Sequence, residues 1–399
     1  MRILFSILLF ILSNYEMRSQ VTMDTVRKYF TEQSHLVRKA REAKDYNRAE
    51  ELDWQMIETI RSYPEEIKKK VSPIIGTLYY NIACYRSLTD RKKEAVKAFS
   101  EAVKYGWNNY TYSIKDHDLD NIRKEKHFIS LMKKIQTEGD YLNILKQAGG
   151  YYNKGINFLP QFTYMPPNNR DLVRIRQYFN LDSIAGSGDE INKIKNLLHW
   201  VHNIVRHDGR SANPESKNAI DLIETCKKEN RGINCRMMAI ILNECYLAMG
   251  FKARYVICLP KKYVDDCHVI NIVYSNILDK WIWVDPTFNA YVMDEKDNLL
   301  GIEEVRKRLI EGSFLKINEE ANWNNKKKET KEHYLDYYKT KNLYKLECNL
   351  YSGYNIETQK ENKPSPRTIV LCPTNSSEIK EASIDATDNV EYFWQSPEK

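Results

Sequence analysis

Glycine and proline are scarce in this sequence, 14 and 12 among 399 residues. That scarcity, with 42% hydrophobic content, excludes a largely disordered chain. None of the eight cysteines (84, 226, 235, 245, 258, 267, 348 and 372) forms a CxxC pair, which weakens a zinc-binding reading, and no cofactor or metal pattern is read. Beyond the first dozen residues no segment is apolar enough to cross a membrane. Charge is not clustered either. The net charge of +7 is mild, and lysines alternate with acids as in Arg91-Lys92-Lys93-Glu94. This is a solvated surface and not a nucleic-acid footprint, although the excess could draw the protein to an anionic envelope.

What is present begins with a leader. Arg2 precedes the apolar run Ile3 to Leu12, which is too short to span a bilayer comfortably, and polar residues follow. This reads as a secretory signal peptide over residues 1–19, cleaved after Ser13 or Ser19, and predicts a secreted or periplasmic protein. The alternative is an uncleaved anchor. An oxidising compartment permits disulfides, and Cys258 and Cys267, which flank a hairpin loop, face each other either as a disulfide or as two thiols.

Residues 24–140 have a helical pattern. Ala40, Ala43, Tyr46, Ala49 and Leu52 recur around a break at Lys44-Asp45; Tyr80, Ala83 and Cys84, then Ala95, Ala98, Phe99 and Ala102, recur around Asp90. Small residues where helices cross resemble tetratricopeptide-type repeats, though about 45 residues separate the two units where ~34 is usual. Asp116, Asp118 and Asp120 alternate as in a calcium loop. Asn121 stands where the turn glycine belongs and His127 where the bidentate glutamate belongs, so a helix cap and turn is the favoured reading. Residues 141–170 form a linker and domain entry. Ser187-Gly188-Asp189-Glu190 opens a helix striped by Ile191, Ile194, Leu198, Val201 and Val205. On it, His199 and His202 make a possible metal pair without a third ligand, and His207-Asp208 after it read as a turn or as cleft lining.

The chemistry is concentrated further on. In Gly232-Ile-Asn-Cys235-Arg, Asn234 is a plausible N-cap and Cys235 the first helical residue, on a helix ended by Gly250. Free N–H groups and the positive end of the helix dipole favour thiolate there, so the Cys235 pKa is expected to fall. Three strands follow as an antiparallel meander, Phe251 to Leu259, Cys267 to Tyr274 and Trp281 to Asp285. His268 opens the second and Asp285 closes the third, which brings both to one end of the sheet. A helix packed on that sheet can aim Cys235 at His268. Thiolate, imidazole and carboxylate are what nucleophilic acyl transfer requires.

Gly-Ile-Asn-Cys235-Arg, Asp-Cys-His268-Val and Trp-Val-Asp285-Pro-Thr, in that order, resemble the core of the transglutaminase-like superfamily over residues 171–315. The resemblance implies an α+β, papain-like fold with a Cys235-His268-Asp285 triad. It also implies acyl transfer on peptide or protein amides, with hydrolysis the default, amine-accepting cross-linking an alternative, and a silent binding protein a further one. Gln161 and Trp200 are weak candidates for the oxyanion donor. Residues 316–399 are expected to hold a charged helix over about 319–347, then the apolar runs 368–371 and 390–394 as strands completing the domain. The helical module is expected to dock a protein partner.

Overall fold

The computed structural model describes residues 21–151, 159–262, 267–358, 366–380 and 385–397. The leader and its cleavage sites lie outside them. Among the described residues no helix is long and apolar enough to cross a membrane. The chain divides into two compact units, 1–140 and 141–399.

The first unit is helical and consistent with repeats. Helices α1 (Met23–Glu42) and α2 (Tyr46–Ser62) form one pair, α3 (Ile74–Leu88) and α4 (Lys92–Lys104) the next. Lys44 and Asp90 take left-handed backbone, φ 56° and 58°, at the two turns. Ala49, Ala83, Ala95, Ala98 and Ala102 are buried where the helices approach. A lost Cβ branch at such points lets helix axes come close. Glu50 joins the pairs, accepting from Arg86 at 2.8 Å and Arg91 at 2.7 Å. The seven-residue helix Glu65–Val71, inserted between the pairs, accounts for the long repeat spacing. Asp116 caps the short helix His117–Ile122 by accepting from Asp118 N at 3.0 Å, which is the cap its spacing favoured.

The second unit mixes helices with a six-stranded sheet. Its strands are β1 (Ala253–Leu259), β2 (His268–Ser275), β3 (Lys280–Val284), β4 (Lys345–Asn349), β5 (Thr368–Leu371) and β6 (Ala386–Thr387), in spatial order β6-β5-β4-β1-β2-β3. All neighbours are antiparallel except the edge pair β5–β6. The central strands are rich in Val, Ile, Tyr and Trp and buried on both faces, so they read as continuous apolar runs. Tyr255, Ile257, Val269, Val273, Ile282 and Val284 pack on one side under helices α5 (Arg170–Tyr178), α6 (Glu190–Ile204), α7 (Ala219–Lys228) and α8 (Cys235–Ala248). Val256, Ile270, Ile272, Trp281 and Trp283 face the opposite core.

The C-terminal region departs from expectation in two places. Residues 319–347 hold a hairpin, Asn322–Trp323 with Lys327–Lys328, then a π-helical turn, α9 (Glu332–Lys339), and the start of β4. The run 368–371 does join the sheet, but Val390–Phe393 is a short helix, because Asn389 caps it by accepting from Tyr392 N. No disulfide joins cysteines among the described residues, and Cys258 registers opposite His268 rather than Cys267.

Candidate active site

Three local devices set the nucleophile's position. Asn234 is the N-cap of α8, its side chain accepting from Met237 N at 3.1 Å, so Cys235 is the first helical residue. Gly232 allows the segment 206–208 to run alongside; a Cβ there would lie 2.6 Å from Arg206 O and 2.8 Å from Asp208 Cβ. Ile233 N–H donates to Arg206 O at 3.0 Å and Asp208 N–H to Ile233 O at 2.7 Å. Buried Asn271 on β2 donates to Ala239 O in α8 at 2.9 Å and fixes the helix over the strand that begins with His268. The Val269 backbone acts on the Cys235 thiol and favours its charged form, which sets that sulfur beside the start of β2.

His268 and Asp285 are in direct contact, with His268 Nε2 2.8 Å from Asp285 Oδ2. A carboxylate only accepts, so Nε2 carries a proton, and whenever the ring is neutral Nδ1 is its acceptor. Asp285 sits just beyond β3 in a tight turn, exchanging backbone hydrogen bonds with Ala290 at 2.8 and 3.1 Å. His268 is 1% exposed and Asp285 0%.

The structure adds residues that sequence patterns did not mark. From α9, Tyr334 OH donates to Asp285 Oδ2 at 2.7 Å and Lys339 Nζ at 2.8 Å, while Thr287 N–H donates to Oδ1 at 3.0 Å. Lys339 is 0% exposed and lies 5.1 Å from the Trp283 ring centroid. Tyr338 OH lies 3.2 Å from His268 Nδ1 and, when the ring is neutral, donates to the lone pair a thiol proton would use. Phe288 and Tyr338 flank the imidazole, at centroid distances of 5.6 and 5.3 Å.

These neighbours decide the electrostatics. Burial pushes the Asp285 carboxyl up, but the charges and hydrogen bonds of His268 and Lys339 outweigh it and leave the group far below the usual aspartate range. Burial pushes the Cys235 thiol up to about 11; the Val269 N–H and the Lys339 charge pull the other way and lose. The expected fall in the Cys235 pKa is therefore overturned. The helix terminus is where the sequence places it, but desolvation of the half-buried Cys235 thiolate is the larger effect. The resting site holds a thiol that must be deprotonated during attack.

Other sequence candidates are used differently. His202 is buried, its ring nitrogens each 3.0 Å from Pro286 O and Asn322 Oδ1, and His199 meets Asn289 and Asn203. Both act in hydrogen bonds that tie α6 to the Asp285 turn. Gln161 is exposed and Trp200 packs on Phe179 at 5.2 Å; neither hydrogen-bonds to Cys235, His268 or Asp285.

A cysteine at a helix start, packed on an antiparallel sheet whose neighbouring strands present a histidine–aspartate pair, defines a papain-like class of cysteine-dependent fold. Residues 178–286 match the family model described as the Transglutaminase-like superfamily, and the chain carries a transglutaminase-like domain there. Among solved structures the chain is similar to one described as "Putative Cysteine Protease from Cytophaga hutchinsonii", at 20% identity and TM-score 0.24, over 32% of this chain. The match spans 46% of that structure's own length. No curated protein matches the chain.

Proposed function

We propose that this protein is a secreted or periplasmic thiol acyl-transfer enzyme in which Cys235 attacks a peptide or protein amide, with hydrolysis as its outcome. The observation that carries the reading is the 2.8 Å contact from His268 Nε2 to Asp285 Oδ2 beside a cysteine at a helix start. In the forward step the sulfur–acyl bond forms while the thiol proton passes to His268 Nδ1. The leaving amine takes that proton as its bond to the acyl carbon breaks. Water then repeats the sequence on the thioester and regenerates the thiol. Asp285 holds the imidazole tautomer and the cation that forms. Before proton transfer, Nδ1 must give up its hydrogen bond from Tyr338. Residues 24–140 fit a docking module for a protein partner or substrate.

One observation favours a second reading, a binding protein that retains the fold: the thiol is protonated at rest and the base's lone pair is engaged. The two separate on a labelled peptide library incubated with wild type and Cys235→Ala, with and without an added amine. The enzyme reading expects cleavage that needs Cys235. Equal behaviour of the two proteins favours the binding reading, and an amine-dependent product moves the assignment to a transglutaminase.

A further inference from the structure

Arg236 directly follows the nucleophile, and its side chain is anchored rather than loose. Its Nε donates to Glu357 Oε1 at 2.8 Å. Glu357 is buried, and the same oxygen accepts from the Tyr255 hydroxyl on β1, which in turn accepts from Asn349 on β4. Lys217 braces the same segment, its N–H donating to Thr358 Oγ1 at 2.8 Å and its Nζ to Glu357 O at 3.2 Å. A long side chain already held at its middle loses little more freedom when its end meets a ligand. That end is open. The Arg236 side chain is 40% exposed, and among the described residues Nη1 and Nη2 make no hydrogen bond.

The register of the sheet relates this arginine to the chemistry. Val269 lies opposite Ile257 and Ile257 opposite Glu347, so one row crosses β2, β1 and β4. Val269 and Ile257 belong to the core under α8, which puts Glu347 on the α8 face as well. Cys235 stands at the Val269 end of the row. Arg236 stands toward the other end, joined through Glu357 to Tyr255 and close enough for the Glu347 charge to act on it. With strands about 4.8 Å apart, the row is about 10 Å long. His268 and Asp285 lie the other way, on β2 and just beyond β3. His268 hands its proton to the leaving amine, so the amine departs on that side and the acyl chain runs along the row toward β4. An extended chain advances about 3.4 Å per residue, so about its second or third residue comes level with Arg236.

The free end of the guanidinium dictates what it takes. Glu357 occupies the Nε side, and the two Nη groups leave a pair of N–H bonds whose spacing matches the two oxygens of a carboxylate. An amide offers that fork a single acceptor and no charge. Glu347 is the one nearby acid that opposes such a ligand, and it makes no hydrogen bond to Arg236.

We propose that Arg236 selects substrates with an acidic side chain about two or three residues before the scissile bond, on the acyl side. This deepens the acyl-transfer reading above and rests on it. Arg236 takes no part in bond making; it positions the acyl chain by its carboxylate.

The test uses full-length protein and acetylated tri-alanine thioesters in which the first or the second residue is replaced by glutamate, glutamine or lysine. The rate of Cys235 acylation is read by mass spectrometry of the Cys235 peptide. In wild type at low salt, glutamate should exceed glutamine about 5-fold at one of the two positions, the worth of a half-exposed ion pair, with lysine slowest. Raising the salt from about 10 mM to about 1 M should at least halve that ratio. Arg236→Gln should bring the ratio to about 1, and Arg236→Lys to about 2, because an ammonium keeps the charge and loses the fork. Glu347→Gln should raise the ratio by removing the opposing charge. A wild-type ratio of about 1 at both positions, a preference for lysine, or an unchanged ratio in Arg236→Gln overturns the assignment and leaves the acyl-transfer reading intact, since Cys235 is acylated in each case. A wild-type Cys235 that no thioester of the set acylates overturns that reading and this assignment with it.

Discussion

Asp285→Asn keeps the shape of the side chain and removes one charge from the centre of a buried network. The carboxylate answers His268, Tyr334 and Lys339 on one oxygen and the Thr287 N–H on the other. In the variant Lys339 stays fully buried without a counter-ion. Removing one partner of a buried ion pair costs about 3–5 kcal/mol. For a unit of this size that corresponds to a fall in Tm of about 6–20 °C. Adding Lys339→Met removes the stranded charge, and replacing a whole buried pair by neutral groups is nearly neutral in stability, so the double variant should regain about 2 kcal/mol or more. The sign of the pH dependence follows from the depressed Asp285 pKa. A carboxyl held below its unfolded value contributes stability that is complete above that value and is lost as the pH falls through the folded one. The difference between wild type and Asp285→Asn should thus be whole at pH 7 and begin to shrink below about pH 4. Urea melts of wild type, both single variants and the double at these two pH values measure it. A loss under about 1 kcal/mol at pH 7, or a double variant no more stable than Asp285→Asn, would refute Lys339 as the charged partner.

Three further outcomes follow from the same geometry. Because burial pushes the Cys235 thiol up to about 11, its iodoacetamide alkylation rate should climb with pH through the alkaline range; a rate already on a plateau at about pH 6 would mean a preformed thiolate. Tyr338→Phe removes the hydrogen bond between Tyr338 OH and His268 Nδ1 and should raise the rate of Cys235 acylation about 2–10-fold, the worth of one hydrogen bond; a slower variant would make Tyr338 a contributor to the reaction. In the helical unit, burial pushes the fully buried Asp53 up to about 7, so folding stability there is withdrawn as the pH rises from about 4 to 7. Asp53→Asn should then stabilise that unit by about 2–4 kcal/mol at pH 8 and little at pH 4, read from thermal melts at both; an equal effect at the two pH values would count against it.

The parts of the site legible in the sequence are those with local signals. Asn234 before Cys235, and Gly250 after the helix, mark both ends of α8 by capping chemistry alone. The apolar runs that carry His268 and Asp285 are strand-like in composition, and short loops between them dictate antiparallel neighbours, hence the shared sheet end. Lys339 and Tyr334 were illegible for a physical reason. Fifty or so residues separate them from Asp285, their spacing fits a π-helical turn rather than a 3.6-residue stripe, and a buried lysine has no local mark distinguishing it from the surface lysines around it. The same holds for His202, which read as half of a metal pair with His199. Its partners Pro286 and Asn322 come from distant segments. The Cys235 pKa was misjudged because a helix terminus is visible in sequence and desolvation is not.

The central claim is that Cys235 forms a covalent acyl intermediate. Full-length protein mixed with a small peptide thioester, quenched in acid within seconds and digested, should yield the Cys235 peptide carrying the acyl mass, and that adduct should decay with time in water. The Cys235→Ala protein should carry no such adduct on any peptide. Absence of the adduct from wild type at every quench time, with thioester turnover unchanged in Cys235→Ala, would contradict the account.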